Sequence, residues 1–457
     1  MKHRFYFSLL LLGVATTLSA QITVKGKIAN MPTRSPQVAL MDYWSVDRWR
    51  QLAILQLEDG GTFSASVSPP TQAQCRIRLA GQPKMMADFI LPGPGMPSDS
   101  VIMFDLDANK MNNSPVKIQG FPENDLYYTL VSAYVDLENE KEASTDPNSE
   151  QIITATRNFN RFCAQMSQEH RGTFTGDIVA NLLYEPQRED YPKDPEVAKM
   201  SDAEFQAKHA LDKLPFYKES VLYHIIFAQK LYKYYDSFDP ESTTNGVDYI
   251  EGIMSKRNGS DAVDLYLFRY LLDRMIDLKN EAGLNHLLKW YPPDCSADSP
   301  LPDYTKTLIE ALKYCTPGNV VDDLSFTDIN GAAVKLSDVC ADNKLTLLLF
   351  WKTTCSHCRE FEPVLAELYE RYKSQGLEVI GVSIDKVEPI WRKFLETAPQ
   401  PWISTFVPAD QREMITSRFP IPSTPTLIAL DKDRKVLSRL ILREQLEEYL
   451  KEELYQD

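Results

Sequence analysis

The chain has 457 residues, a formal net charge of −15 and 43% hydrophobic residues. This length accommodates several domains, and the acidic balance argues against nucleic acid or anionic lipid as a partner. Seven cysteines in so long a chain do not form the dense disulfide scaffold of a small secreted domain.

The N-terminus has the features of a secretory signal peptide. Lys2 and Arg4 precede an apolar run from Phe5 to Ala15, and small residues follow up to Ala20. The apolar run is too short to span a bilayer comfortably, and no second long apolar stretch follows, so we expect no stable membrane insertion. The sequence therefore predicts a signal peptide over residues 1–20 and a periplasmic or cell-envelope location.

Residues 21–120 show short alternating patterns separated by Pro and Gly clusters, which predict a β-sandwich accessory domain without a catalytic constellation. Asp59-Gly60-Gly61 lies between two such runs and predicts that they form a hairpin. The predicted strands are residues 22–28, 37–43, 52–57, 62–67, 75–79, 88–91, 101–106 and 116–118.

The pattern changes to a helical period over residues 121–316, which predicts a helical domain. One apolar face includes Leu265, Phe268 and Met275, with Ser260 as a plausible N-cap. From residue 317 to residue 457 strands and helices alternate, which predicts an α/β fold on a mixed sheet. The chain is thus predicted to be multidomain, with a β-sandwich, a helical region and an α/β fold in that order.

Cys355-Ser356-His357-Cys358 is the most informative motif of the α/β region. It follows the apolar run 345–351, a predicted buried strand, and opens a segment with helical spacing. A helix N-terminus stabilises a thiolate through its free N–H groups and its dipole. Two thiols at this spacing behind a buried strand therefore predict a redox site, and a protonated His357 would stabilise the thiolate further.

These residues resemble the TlpA/ResA-like thiol-disulfide oxidoreductases of the thioredoxin superfamily. The segment 350–358 is similar to that family's strand and active-site motif, Pro363 to the Pro of its active-site helix, and Ser423-Thr424-Pro425-Thr426 to its cis-Pro loop. Residues 324–338 resemble its N-terminal hairpin. The resemblance covers residues 317–457, and the upstream regions resemble the accessory domains that some secreted members carry.

The resemblance implies a thioredoxin-like fold and a mechanism for this region. Cys355 would attack a substrate disulfide, and Cys358 would then resolve the mixed disulfide, so that the two form the redox-active disulfide. Trp351 and Thr424 would lie on the substrate-binding side. Pro425 would be cis and leave the Thr424 backbone free to pair with an extended substrate segment.

The proton route and the direction of exchange depend on neighbouring residues. His357 is predicted to lower the pKa of Cys355 and so to raise the reduction potential. Relatives often carry an acid where this chain has Leu349 and Phe361. Glu362 lies four residues after Cys358, on the same helix face, and is a candidate for proton transfer.

No metal and no cofactor are expected. A zinc site would need a second pair of ligands, and covalent haem attachment would need His at the position of Arg359. The remaining cysteines are predicted to be small buried hydrophobes. They are Cys75, Cys163, Cys295, Cys315 and Cys340.

The predicted function is that of an exported thiol-disulfide oxidoreductase. Its partners would be protein thiols or disulfides and an unidentified membrane or periplasmic redox partner. Two alternatives stay open. One is a peroxiredoxin-like thiol peroxidase, disfavoured by Lys352 at the position of that family's Thr. The other is a non-enzymatic adaptor that binds a cell-envelope partner through its upstream domains.

Overall fold

The computed structural model describes most of the chain, namely residues 21–32, 38–82, 84–97, 100–111, 116–146, 149–235, 238, 245–290, 301–439, 441 and 443–455. The predicted signal peptide lies outside these residues. The order of N-terminal sheets, central helices and a C-terminal α/β region confirms the predicted fold class.

The chain divides into two compact units. The N-terminal unit comprises the chain up to Phe238 together with Ser255–Asp264, and the C-terminal unit comprises Asp239–Met254 and Leu265–Asp457. The predicted domain boundary at residue 317 falls inside the C-terminal unit and stays a prediction.

Two four-stranded sheets form the first part of the N-terminal unit. Their orders are β4-β1-β7-β8 and β3-β2-β5-β6. Both sheets contribute buried apolar residues to one core, such as Ile22, Val24 and Ile28 of the first sheet and Cys75 and Ile77 of the second. The strands are β1 (Ile22–Ala29), β2 (Val38–Ser45), β3 (Arg48–Gln56), β4 (Thr62–Val67), β5 (Ala73–Leu79), β6 (Met86–Leu91), β7 (Val101–Asp107) and β8 (Lys117–Gln119).

The predicted hairpin of β3 and β4 is wrong, because the two strands belong to different sheets. β3 pairs with β2, whereas β4 pairs with β1. At the turn, the Ile28 N–H donates to the Gly61 carbonyl over 2.9 Å. Gly61 has φ +79°, and a Cβ there would lie 2.3 Å from the Ile28 carbonyl oxygen. The glycine therefore permits a close crossing to β1 rather than a return along β3.

Helices follow the sheets. In the N-terminal unit, Asn124 of the first helix exchanges two hydrogen bonds with the backbone of Ile90, at 2.8 and 3.0 Å, and so occupies the edge of β6. Ser260 accepts from the Val263 N–H over 3.4 Å, which confirms it as an N-cap. The helices are α1 (Glu123–Ala143), α2 (Glu150–Glu169), α3 (Ala180–Leu183), α4 (Asp202–His209), α5 (Ile225–Tyr235), α6 (Asn245–Met254), α7 (Asp261–Asp277), α8 (Glu281–Trp290) and α9 (Asp303–Tyr314).

A five-stranded mixed sheet of order β13-β12-β11-β14-β15 organises the C-terminal unit, beside the two-stranded β9–β10 hairpin. Its β11, β12 and β13 are parallel, and β14 runs antiparallel to β11. The elements are β9 (Ser325–Thr327), β10 (Ala333–Lys335), α10 (Leu336–Ala341), β11 (Leu345–Trp351), α11 (Ser356–Tyr372), β12 (Leu377–Ser383), α12 (Glu388–Thr397), β13 (Ile403–Phe406), α13 (Arg412–Arg418), β14 (Thr426–Leu430), β15 (Val436–Ser438) and α14 (Leu446–Tyr455).

All residues of β11 are buried, because both faces of the sheet are covered. Leu347 and Leu349 contribute to one apolar cluster, and Leu348 and Phe350 contribute to the other. Parallel strands bring their carboxyl ends to the same edge, so the loops after β11 and β12 are neighbours. That edge holds the motif Cys355–Cys358.

A buried arginine attaches two of the central helices to the sheet of the C-terminal unit. Arg439 is fully buried and donates to both carboxylate oxygens of Glu281 in α8, at 3.0 and 3.1 Å. It also donates to the Asn285 side chain over 2.6 Å and to the Leu312 carbonyl of α9. A buried guanidinium requires such partners, so α8 and α9 are part of the same packed unit.

Candidate active site

Cys355 is the N-cap of α11 and lies at the carboxyl end of the sheet. The Cys358 N–H donates to the Cys355 Sγ over 3.4 Å, as an N-cap side chain accepts from the first turn of a helix. The Cys355 thiol in turn donates to the Thr424 carbonyl oxygen over 3.1 Å. Cys355 is partly exposed and Cys358 is buried, so an incoming sulfur can reach only the first thiol directly.

The two thiols differ in acidity. Burial acts to raise the pKa of Cys355, but hydrogen bonds with the Thr424 side chain, with the Cys358 thiol and with the backbone N–H groups of Cys358 and His357 outweigh it and lower the pKa below its usual value. Burial raises the pKa of Cys358 to about 12. Cys355 is therefore the better thiolate and Cys358 the protonated partner.

The predicted cis-Pro loop lies against the nucleophile. The Thr424–Pro425 peptide is cis, as predicted. The Thr424 carbonyl was expected to be free for a substrate segment, but in this structure it accepts the Cys355 thiol. A substrate that pairs with this carbonyl would therefore compete with the thiol for it.

Trp351 lies in the core rather than on the substrate-binding surface. Its side chain is fully buried, and its ring packs against Phe394 with 5.7 Å between centroids. The position at the last residue of β11 directs the side chain into the sheet face that α11 covers. Trp351 is therefore a core residue beneath the segment that leads to Cys355. The sequence did not reveal which face of the sheet its side chain occupies.

The structure places His357 on the surface and Glu362 partly in the interior. The His357 side chain is exposed, and its backbone N–H contributes to the lowered pKa of Cys355. Glu362 is half-buried and accepts from the Gln400 amide over 2.9 Å. Burial raises the pKa of its carboxyl, against the lowering effects of Gln400 and Arg359.

The two positions where relatives often have an acid are filled by apolar core residues. Leu349 is 1% exposed in β11, and Phe361 is 4% exposed in α11. Both belong to the cluster that includes Cys358. The interior beneath the resolving thiol is therefore apolar on this side, which is consistent with its raised pKa.

A buried carboxyl that sequence reasoning missed lies under the loop before Cys355. Asp385 follows β12 and is 6% exposed. Its Oδ1 accepts from the Thr353 hydroxyl over 3.0 Å, and its Oδ2 accepts from the Thr353 N–H and the Ser383 hydroxyl, each over 2.9 Å. The signal in the sequence was an acidic residue two positions after a buried parallel strand, because the carboxyl ends of the parallel strands also carry the CxxC motif.

The other described cysteines lie in the core. Cys75, Cys163, Cys315 and Cys340 are buried free thiols, and burial raises the pKa of each. Cys295 lies outside the described residues. Within the described part of the chain, His, Cys, Asp and Glu side chains form no group of three or more that could hold a metal ion. None of the described helices has the length and hydropathy that a membrane crossing requires.

Comparison with known proteins agrees with this geometry. A family model described as thioredoxin-like matches residues 343–436. Thiol-disulfide oxidoreductase ResA of Bacillus anthracis is 31% identical over 137 residues, which are 29% of this chain and 76% of that protein. The chain belongs to the ResA family of thiol-disulfide oxidoreductases. ResA of Bacillus cereus strain ZK is 32% identical over 136 residues, with 29% and 76% covered.

Solved structures are also similar to this chain. The thioredoxin domain of a thiol-disulfide oxidoreductase from Bacteroides vulgatus is 26% identical, with a TM-score of 0.28, and the match covers 30% of this chain and 96% of that one. A thioredoxin-like protein from Bacteroides caccae is 23% identical, with a TM-score of 0.44, over 58% of this chain and 98% of that one. The membership in the ResA family makes this chain an oxidoreductase with a thioredoxin-like C-terminal domain.

Proposed function

We propose that this ResA-family protein is an exported oxidoreductase that exchanges disulfides with protein substrates through Cys355 and Cys358. The observation that carries the proposal is the asymmetry of the two thiols. Cys355 is partly exposed at a helix N-terminus with a lowered pKa, whereas Cys358 is buried with a raised pKa. Such a pair supplies one attacking and one resolving thiol.

In the first step, the Cys355 thiolate attacks one sulfur of a substrate disulfide. The substrate S–S bond breaks, a bond forms between Cys355 and the substrate, and the departing substrate thiolate takes up a proton. The first-turn N–H groups of α11 hold the attacking thiolate in place. The Thr424 carbonyl, which the thiol donates to at rest, becomes free when the proton is lost.

In the second step, Cys358 loses its proton and attacks the Cys355 sulfur. The second substrate thiolate leaves, and the Cys355–Cys358 disulfide forms, so two electrons pass to the substrate. An external thiol partner must then reduce the pair again. We assign Glu362 as the group that takes the Cys358 proton, because it lies one helical turn further along α11 and burial raises its pKa.

The proposed exchange is tested by insulin reduction with dithiothreitol as the electron donor. Cys355→Ser is expected to lower the rate to that of dithiothreitol alone. Cys315→Ser is the matched control, because the Cys315 thiol also donates to a carbonyl, that of Arg418 over 3.3 Å, but lies in the core. Equal turnover by wild type and Cys355→Ser would contradict the proposal and favour the adaptor function.

Export is the second part of the proposal, and its support is the basic, apolar and small-residue pattern of residues 1–20. Expression of the full chain in a Gram-negative bacterium is expected to yield a periplasmic protein whose N-terminal peptide begins at Gln21. The measurement is mass spectrometry of the purified protein after cell fractionation. A cytoplasmic chain that retains the leader would contradict export without affecting the exchange chemistry.

A further inference from the structure

We infer that Asp385 is a positioning residue for the Cys355 thiol, acting through Thr353. This inference rests on the proposed exchange function and adds to it a residue that follows a different strand, β12. Asp385 lies 32 positions away from Thr353 in the chain, and the parallel pairing of β11 with β12 brings the two together. The acidic residue in the contact with Thr353 thus follows β12 and comes from neither β11 nor α11.

The Asp385 carboxyl is fixed by three donors. Thr353 donates through both its N–H and its hydroxyl, at 2.9 and 3.0 Å, and Ser383 donates over 2.9 Å. The Asp385 backbone is held as well, because the Arg412 guanidinium donates to its carbonyl over 2.7 Å. A buried carboxyl is destabilising unless such donors satisfy it. These hydrogen bonds, here called the Asp385 clamp, therefore hold the carboxyl in one geometry.

The clamp is connected directly to the nucleophile. Thr353 precedes Cys355 by two residues, and the Cys355 N–H donates to the Lys352 carbonyl over 3.2 Å, which closes a tight turn. Within this turn, Thr353 is therefore hydrogen-bonded to Asp385 after β12, and the last residue of the turn, Cys355, is the N-cap of α11. Reactions of positioned groups are sensitive to displacements of about 1 Å, which can cost roughly a hundredfold in rate.

A positioning role of Thr353 and Asp385 can be distinguished from a purely structural role by a matched control substitution. Thr405 offers the comparison, because it is a buried threonine whose hydroxyl donates to the Gly381 carbonyl over 3.2 Å, inside the same sheet. Thr405→Val and Thr353→Val each remove one buried hydroxyl and preserve the volume of the side chain. Only the second removes a bond of the turn that carries Cys355.

The experiment measures kcat and KM for insulin reduction, with dithiothreitol as donor, for the wild type and four variants. Thr353→Val and Asp385→Asn are expected to lower kcat about tenfold or more with little change in KM, because the thiol is displaced and not the substrate surface. An Asn at 385 would turn its NH₂ toward one of the three donors. Thr353→Ser keeps the hydroxyl and is expected to retain wild-type kcat, as is Thr405→Val.

Equal kcat for Thr353→Val and Thr405→Val, or a Thr353→Ser variant as slow as Thr353→Val, would overturn the positioning role. The Asp385→Asn variant tests the same contact from the Asp385 side, so the experiment stays decisive even if Thr353→Val does not fold. A wild-type kcat for Asp385→Asn would also overturn the positioning role of Asp385. A wild-type protein that reduces no insulin would instead contradict the proposed function itself.

Discussion

Cys355 and Cys75 carry the same thiol group in opposite surroundings. Cys75 lies in β5, inside the sandwich of the N-terminal unit, where burial raises its pKa well above the usual value. Cys355 lies beyond the carboxyl end of the central strand β11, at the N-terminus of α11, where hydrogen bonds lower its pKa despite partial burial. The comparison shows that the position of a thiol in the fold, rather than the residue type, decides whether it is reactive.

The comparison also holds within the motif. Cys355 and Cys358 are three residues apart, yet the second lies in the apolar cluster beneath the helix and has a pKa raised to about 12. One turn of helix thus separates an attacking thiol from a resolving thiol. The predictions below test these contrasts, beginning with the largest expected effect.

Removal of the resolving thiol is expected to abolish turnover. In Cys358→Ser the first attack by Cys355 still occurs, but no second protein thiol releases the substrate, so a mixed disulfide with insulin accumulates when the reduced protein meets insulin without dithiothreitol. The measurement is mass spectrometry of the protein under non-reducing conditions, beside the insulin-reduction rate. The double variant Cys355→Ser/Cys358→Ser is the control and is expected to form no adduct. Wild-type turnover by Cys358→Ser would show that the second thiol is not required.

A core substitution in the sandwich is expected to lower stability and leave chemistry unchanged. Phe89 is fully buried and packs against Phe104 with 4.9 Å between ring centroids. Phe89→Ala should lower the free energy of unfolding of the N-terminal unit by about 3–5 kcal/mol, as measured by urea denaturation.

The kcat of the folded Phe89→Ala protein should equal that of the wild type, because all residues of the proposed site lie in the C-terminal unit. Ile54→Ala is the control, since Ile54 is 52% exposed on β3 and its loss should change stability by less than about 0.5 kcal/mol. A lower kcat for Phe89→Ala would show that the sandwich contributes to catalysis.

The smallest expected effect is that of His357→Ala on the reduction potential of the Cys355–Cys358 pair. A cationic His357 would stabilise the thiolate, so its removal should make the protein more reducing. The side chain is exposed and the backbone N–H persists in the variant, so we expect a shift of no more than about 30 mV.

The potential is measured by equilibration with glutathione, and Ser356→Ala, at the adjacent exposed position, is the control. If the His357→Ala protein became less reducing than the wild type, the His357 side chain would not stabilise the thiolate. A decrease of the reduction potential much larger than about 30 mV would show that the side chain stabilises the thiolate more than its exposure indicates.

The sequence revealed those parts of the fold that depend on local pattern. The buried strand 345–351 was predicted with the bounds that the structure has, because a continuous apolar run is typical of a parallel strand covered on both faces. The hairpin of β3 and β4 was wrong, because alternation and a Gly-containing turn show where strands end but not which sheet they join.

The same distinction applies to the site. Cys355 and Cys358 were recognised because they are close in the chain, and the cis-Pro loop because its motif is short. Asp385 was missed because its contact with Thr353 depends on the order of strands in the sheet. Trp351 was placed on the substrate side because sequence position does not reveal the orientation of a side chain at a strand end.

The most direct test of the central claim is the pH dependence of iodoacetamide alkylation at Cys355 in the reduced protein, followed by peptide mass spectrometry. The thiolate is the reactive form, so the rate rises as pH passes through the pKa and then levels off. A lowered pKa predicts a midpoint for Cys355 below the ordinary thiol value of about 8.5, while Cys75 stays unmodified in the folded chain. A Cys355 midpoint at or above that value, or faster modification of Cys358 than of Cys355, would contradict the account.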